Sequence, residues 1–127
     1  MIKLFEEFIN EAVNNCLTDL EVTKDFFLAN VDSLKSILDT DGSHLDDDIV
    51  EFLKGVTGGD KEMEKIFVKN DSVYIPKGTL LYYIGKYEGK HFDFETWDVE
   101  YNGKSYGRII INSEDDLEDI SKSVKKL

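Results

Sequence analysis

At 127 residues, 41% hydrophobic and with a net charge of −12, the chain is apolar enough for a packed core and too acidic to be drawn to nucleic acid or anionic lipid. No run approaches the roughly 20 apolar residues of a membrane-spanning helix, and Glu6, Glu7 and Glu11 interrupt the apolar region that a secretory signal needs. The single cysteine, Cys16, excludes an internal disulfide and fits a reducing compartment. Charge is also unevenly placed. Residues 1–60 hold 14 acids and 4 bases, whereas residues 61–127 hold 13 acids and 11 bases. An acidic block of this kind steers a protein towards basic partners, and it also serves solubility.

Apolar residues Ile2, Phe5, Ile9, Ala12, Val13, Cys16, Leu17 and Leu20 recur at helical spacing and predict a helix over about residues 2–17. In EVTKDFFLANVDSLKSILD, the positions Phe26, Phe27, Val31, Leu34, Ile37 and Leu38 predict one or two further helices, with Asp32 or Ser33 as an internal cap. TDGS is a turn. Leu45, Ile49, Phe52 and Leu53 then mark a short helix that Gly55 ends in the left-handed capping role. GVTGGD reads as a flexible joint, placing a boundary near residue 58 between a helical subdomain, 1–58, and a second one, 59–127.

Beyond the joint the pattern changes to short runs rich in Tyr, Phe, Ile and Val, separated by turn residues, which predicts antiparallel strands. Asn102-Gly103, between WDVEY and KSYGRIII, is the strongest hairpin signal, because Asn-Gly tolerates the positive φ angles of a type I′ turn. That register sets Tyr101 opposite Lys104 and Val99 opposite Tyr106. Pro76-Lys77-Gly78 and Glu88-Gly89 are further turns. SEDDLEDISKSVKKL reads as a C-terminal helix. Ser113 and Asp116 form its capping box, Lys122, Lys125 and Lys126 occupy its last turn, and Leu117, Ile120, Val124 and Leu127 form its buried stripe. The expected fold class is α+β: an N-terminal helical acidic half, a small curled antiparallel sheet and a terminal helix. The run VYIPKGTLLYYIG, residues 73–85, resembles the opening strands of a bacterial SH3-like barrel.

Motifs that carry chemistry are sparse. Asp93-Phe94-Glu95-Thr96 resembles the first motif of the DEDD exonucleases, in which two strand carboxylates hold divalent metal. Alternation places Asp93 and Glu95 on one face, but the further acidic motifs of that family have no counterpart in the residues that follow. DTDGSHLDDDIVE carries carboxylates around a glycine, yet aligning Gly42 with the EF-hand glycine leaves Ile37 at the first ligand position, which cannot bind calcium. Cys16 sits in an apolar stripe, with only His44 and His91 available as bases, and no phosphate loop, zinc pattern or nucleophile elbow is present. Tyr82, Tyr83, Tyr87, Trp97, Tyr101 and Tyr106 are interleaved with acids, which suits a sheet core or a protein-binding face better than a base-stacking surface. These readings predict no cofactor, no bound metal and no catalytic residue.

The opening block MIKLFEEFINEA holds Lys3, Phe5, Glu7, Phe8, Ile9, Glu11 and Ala12 in an order that resembles the capsid-targeting sequence of internal head proteins of T-even-type tailed phages. The resemblance covers about a tenth of the chain. It implies docking to the head scaffold and a cut by the phage prohead protease between Glu11 and Ala12. A plain N-terminal helix accounts for the same stripe, which runs on past the proposed cut. The resemblance further implies a protein carried in the virion interior, injected into the host cytoplasm, and acting on a host defence or nucleic-acid-processing protein. Asp39, Asp41, Asp46, Asp47, Asp48 and Glu51 are then the candidate partner-binding residues, an acidic face that stands in for phosphates. A structural role in the phage head core, and a small metal-dependent hydrolase using Asp93 and Glu95, are the alternative readings.

Overall fold

A computed structural model describes residues 16–88, 93–111 and 114–127. Among the described residues eight strands form two antiparallel sheets, accompanied by four short helices. In chain order the elements begin with β1 (Leu20–Val22), β2 (Phe26–Asn30), α1 (Val31–Asp41) and α2 (Asp47–Lys54). A π-type turn over Gly55–Gly59 leads to α3 (Lys61–Phe67). Then follow β3 (Val68–Lys69), β4 (Ser72–Ile75), β5 (Leu80–Glu88), β6 (Asp93–Tyr101), β7 (Lys104–Ile111), α4 (Glu114–Ser121) and β8 (Val124–Lys126). The larger sheet has the order β7-β6-β5-β1-β8 and the smaller β2-β4-β3.

This arrangement corrects the expected helical acidic half with a small curled sheet. Residues 20–30 form two strands, not a helix: Leu20 and Glu21 pair with Leu81 and Leu80, and Phe26 pairs with Ile75. The apolar positions of this short stretch fit either period, and pairing with β4 and β5 decides between them. Helix α1 therefore begins later, with Asn30 at its N-cap in place of Asp32 or Ser33, and the Asn30 Oδ1 accepts a hydrogen bond from Ser72 Oγ at 3.1 Å. The run 73–85 does not open a barrel. Val73–Ile75 lies in the small sheet and Leu80–Gly85 in the large one, joined through the Pro76–Gly78 turn.

Two helix ends also differ from expectation. Gly55 is right-handed (φ −60°, ψ −50°), and the chain continues through a π-type turn in which the Asp60 amide bonds the Gly55 carbonyl. Thr57 Oγ1 donates to the Leu53 carbonyl at 2.6 Å, so a side chain supplies a donor to a helix-end acceptor where a left-handed glycine cap is absent. Gly58, with φ of 120°, then turns the chain into α3, whose cap Asp60 accepts from the amides of Glu62 and Met63. At the other end α4 stops at Ser121, and Val124–Lys126 pairs with β1 as an outer strand. Lys125 accordingly faces Glu21 across that pair (3.3 Å), and Leu127 is exposed. Residues 2–15 of the predicted helix over 2–17, the cut site at Glu11 and Ala12, the turn residue Gly89 and the cap Ser113 lie outside the described residues, while Leu17 is already a bend. The expected boundary at residue 58 falls in the π-type turn. Both sheets combine strands from either side of it.

Within the core an aromatic cluster forms around Phe67, the last residue of α3. Its ring meets Phe52 of α2 and Tyr106 of β7 edge-on at 5.4 Å and Tyr101 of β6 at 6.4 Å. Phe52 and Phe67 are fully buried, so this cluster joins two helices to the large sheet through apolar area and favourable ring geometry.

The Asn102-Gly103 hairpin forms as its sequence predicts, with positive φ at both residues and Tyr101 opposite Lys104. One residue later the register shifts. Glu100 pairs with Ser105, but Asp98 pairs with Arg108, so Val99 meets a bulge at Tyr106 and Gly107. Gly107 has φ of 107°, and a Cβ there would lie 2.7 Å from the Asp48 carbonyl and 3.1 Å from the Phe52 amide. Only glycine both takes this conformation and lets α2 lie directly on β7. Gly107→Ala is expected to cost about 3 kcal/mol, from left-handed strain plus backbone overlap. The same change at Gly78, positive in φ with nothing within 4 Å, is expected to cost about 1 kcal/mol. Urea denaturation of both variants checks the difference.

Candidate binding surface

The bulge determines which side chains meet above β7. Simple continuation of the hairpin would set Asp98 opposite Gly107, and the extra residue sets it opposite Arg108. Arg108 then reaches both its strand neighbour and the start of α2. Its Nε donates to Asp98 Oδ1 at 3.2 Å, its Nη1 to Asp46 Oδ2 at 2.6 Å and its Nη2 to Asp48 Oδ2 at 3.4 Å. The guanidinium side chain is only 14% exposed, while Asp46, Asp98 and Asp48 are 33%, 40% and 55% exposed. A planar fork with several fixed donors suits this task, and a lysine would not hold three carboxylates at once.

Three carboxylates around one cation leave the cluster net negative. Asp46 is also the N-cap of α2, and Asp47 and Asp48 lie in its first turn, where the helix dipole favours negative charge. Asp47 and Glu51 on α2 and Asp39 on α1 are exposed. The structure thus brings Asp46 and Asp48 together around Arg108 and leaves Asp39, Asp47 and Glu51 open to solvent.

Asp41 departs from the expected set. It is 2% exposed, and its Oδ1 has no hydrogen-bond partner among the described residues. Its carbonyl accepts from the amides of His44 and Leu45, so this residue shapes the α1–α2 turn and does not face a partner. Sequence reasoning missed Arg108 and Asp98 as members of the cluster. The Asn-Gly hairpin located both strands, but the one-residue shift that pairs them leaves its only trace in the glycine at 107.

The strand carboxylates Asp93 and Glu95 each have a contact of their own. Asp93 lies 3.5 Å from Lys86 Nζ, and Glu95 Oε2 accepts from Tyr83 OH at 2.9 Å. No group of three or more His, Cys, Asp or Glu residues arranged to hold a metal occurs among the described residues. Tyrosine hydroxyls are spent similarly: Tyr82 donates to Glu100 and Tyr106 to Glu62, while Trp97 is buried and its Nε1 donates to the Thr18 carbonyl. The Cys16 thiol is buried against α4, its Sγ 3.7 Å from the Leu117 carbonyl, and burial pushes its pKa up, away from nucleophilic use. A groove of about 330 Å³ lies between β2, α1, the end of β7 and α4. No sequence motif marked it.

Comparison with protein-family models, with curated proteins and with solved structures finds no match to this chain.

Burial, then the hydrogen bond and charge of Glu95, push the Tyr83 phenol up from an ordinary 10 to about 12. A raised folded pKa means that the neutral phenol contributes stability fully present below pH 10 and lost as the pH climbs towards 12. Glu95→Gln removes the charge and keeps the strand. Its Tyr83 phenol is expected to ionise at lower pH than in the parent while staying above 10, because burial, the larger cause, remains. Absorbance at the phenolate band during alkaline titration reads this directly.

Proposed function

We propose that the protein is a non-enzymatic binding module whose acidic α1–α2 face occupies a basic groove on a host defence or nucleic-acid-processing protein. The N-terminal resemblance sets this activity in a phage: the protein is carried in the virion interior and delivered to the host cytoplasm. The supporting observation is the Arg108 cluster. Its carboxylates are held by hydrogen bonds to a mostly buried side chain, so they keep their positions without further ordering cost when a cationic surface arrives. Asp47, Glu51 and Asp39 extend the field, and charge complementarity of this kind sets encounter rate and partner choice.

The face works by position and charge, with no covalent step. Asp46 and Asp48 are the oriented part, and Asp39, Asp47 and Glu51 the part that meets incoming lysines or arginines. Asp41 has no place in it, being buried. Prohead protease and scaffold are partners of the N-terminus on this reading, and the intact mass of the protein from purified phage particles tests it: a chain starting at Ala12 is expected.

For the partner itself, tagged wild-type protein and an Asp39→Asn, Asp47→Asn, Glu51→Gln variant serve as baits in extract from phage-infected cells. All three substituted side chains are exposed, so folding stability is expected to change little. A partner retained by the wild type should bind the variant about tenfold more weakly, with a shallower salt dependence. Equal retention and an unchanged salt slope would overturn the acidic-face mechanism.

A further inference from the structure

Two strands that line the groove of about 330 Å³, β2 and β7, are each outermost in their sheet. Among the described residues β2 pairs only with β4, and β7 only with β6. Consecutive side chains of a strand point to opposite faces, so a wall made from a sheet face uses every second residue. Here four consecutive residues of β2, Phe26 to Ala29, line the groove, and so do the neighbours Ile110 and Ile111 of β7. Ile110 pairs with Thr96 and Ile111 with Glu95, which places them on opposite faces of the large sheet. The groove therefore meets both strands along their edges, where main-chain N–H and C=O groups point away from the sheet.

The lining narrows the class of occupant. Ile37 of α1, Phe94 of β6 and Ile120 of α4 add apolar surface, and the Phe27 ring is 51% exposed. Asp116 and Asp119, three residues apart on α4, are exposed and also line the groove. No lysine, arginine or histidine among the described residues does so. Lys122 Nζ lies 4.0 Å from Asp119, with both side chains largely solvated. A sheet edge takes a backbone, an apolar cavity takes aliphatic side chains, and two acids take a cation. An extended peptide offers all three. A bulge at Leu28 interrupts the register of β2, so the added strand is short.

We propose that the groove binds an extended, lysine- or arginine-bearing segment of a partner protein, added as a strand to the outer edge of β2. Its aliphatic side chains lie against Phe94, Ile110 and Ile120, and its basic group lies beside Asp116 and Asp119. Main-chain hydrogen bonds supply affinity, while the cavity and the acids select side chains. This site goes beyond the acidic-face reading. Helix α1 contributes to both, but none of Asp39, Asp47 and Glu51 lines the groove.

The probe is an acetylated and amidated eight-residue peptide of alternating valine and lysine, added to the full chain. A valine–glutamate peptide is its charge-reversed control. Amide exchange is read at the β2 residues whose N–H groups do not face β4. The valine–lysine peptide is expected to slow exchange there at least about fivefold, and the control to leave it unchanged. Strand addition uses one edge of the peptide, so N-methylation of the valines and N-methylation of the lysines should differ, one abolishing protection and the other retaining it. Asp119→Asn should weaken binding about threefold. The Asp39→Asn, Asp47→Asn, Glu51→Gln variant should bind the peptide as the wild type does, which separates this site from the acidic face. The proposal is overturned by no protection of β2, by protection confined to α1 and α2, by equal effects of the two peptides or of the two methylated series, or by an affinity that Asp119→Asn leaves unchanged. It is also overturned if those β2 amides are already protected without peptide: protection that survives dilution assigns the groove to the chain's own residues, and protection lost on dilution assigns it to a second copy.

Discussion

The approach of α2 to β7 at Gly107 is the contact on which the rest of the structure depends. A glycine in a left-handed bulge removes the side chain that would hold the helix away, and the Asp48 carbonyl and Phe52 amide come to rest over the strand. Two consequences follow from that one position. Inward, Phe52 reaches Phe67 and, through it, the rings of Tyr101 and Tyr106. Outward, the next residue, Arg108, lies under the first turn of α2 and opposite Asp98. Core and acidic face are therefore built on the two sides of a single bulge.

The outward side carries an electrostatic compromise. Grouping Asp46, Asp48 and Asp98 costs mutual repulsion, and one guanidinium plus the helix dipole offset it without neutralising it. Each exposed pair contributes little stability alone. At 14% exposure the Arg108 side chain is far less solvated than the lysines of ion pairs elsewhere, such as Lys69 with Asp25, where the lysine is 66% exposed. A net-negative face of fixed shape is the result, and this is the property that a basic partner would read.

Much of the second half was legible in the sequence because its signals are local. Asn102-Gly103 and Pro76-Lys77-Gly78 specify backbone angles by their own chemistry, and the strands around them follow. The first half was less legible because its decisive partners are remote. Phe26–Asn30 has apolar spacing that a helix satisfies, and only β4, more than forty residues away, makes it a strand. Val124–Lys126 likewise extends a good helical pattern until β1 offers it an edge. At the site, the acids at the start of α2 were visible as a charge run. Burial of Asp41 and recruitment of Arg108 and Asp98 were not, since both depend on tertiary register.

The most direct test of this account is amide exchange of α2 in the wild type and in Arg108→Met, a change that removes the charge and retains an unbranched stem. The Val50 amide donates to the Asp46 carbonyl at 3.0 Å and reports on the first turn. If Arg108 fixes that turn on the sheet, exchange at Val50 and Glu51 accelerates in the variant while β5 and β6 keep their protection. Identical exchange in the two proteins would mean that α2 holds its carboxylates in place without the strand, contradicting the central role assigned to the Gly107–Arg108 step.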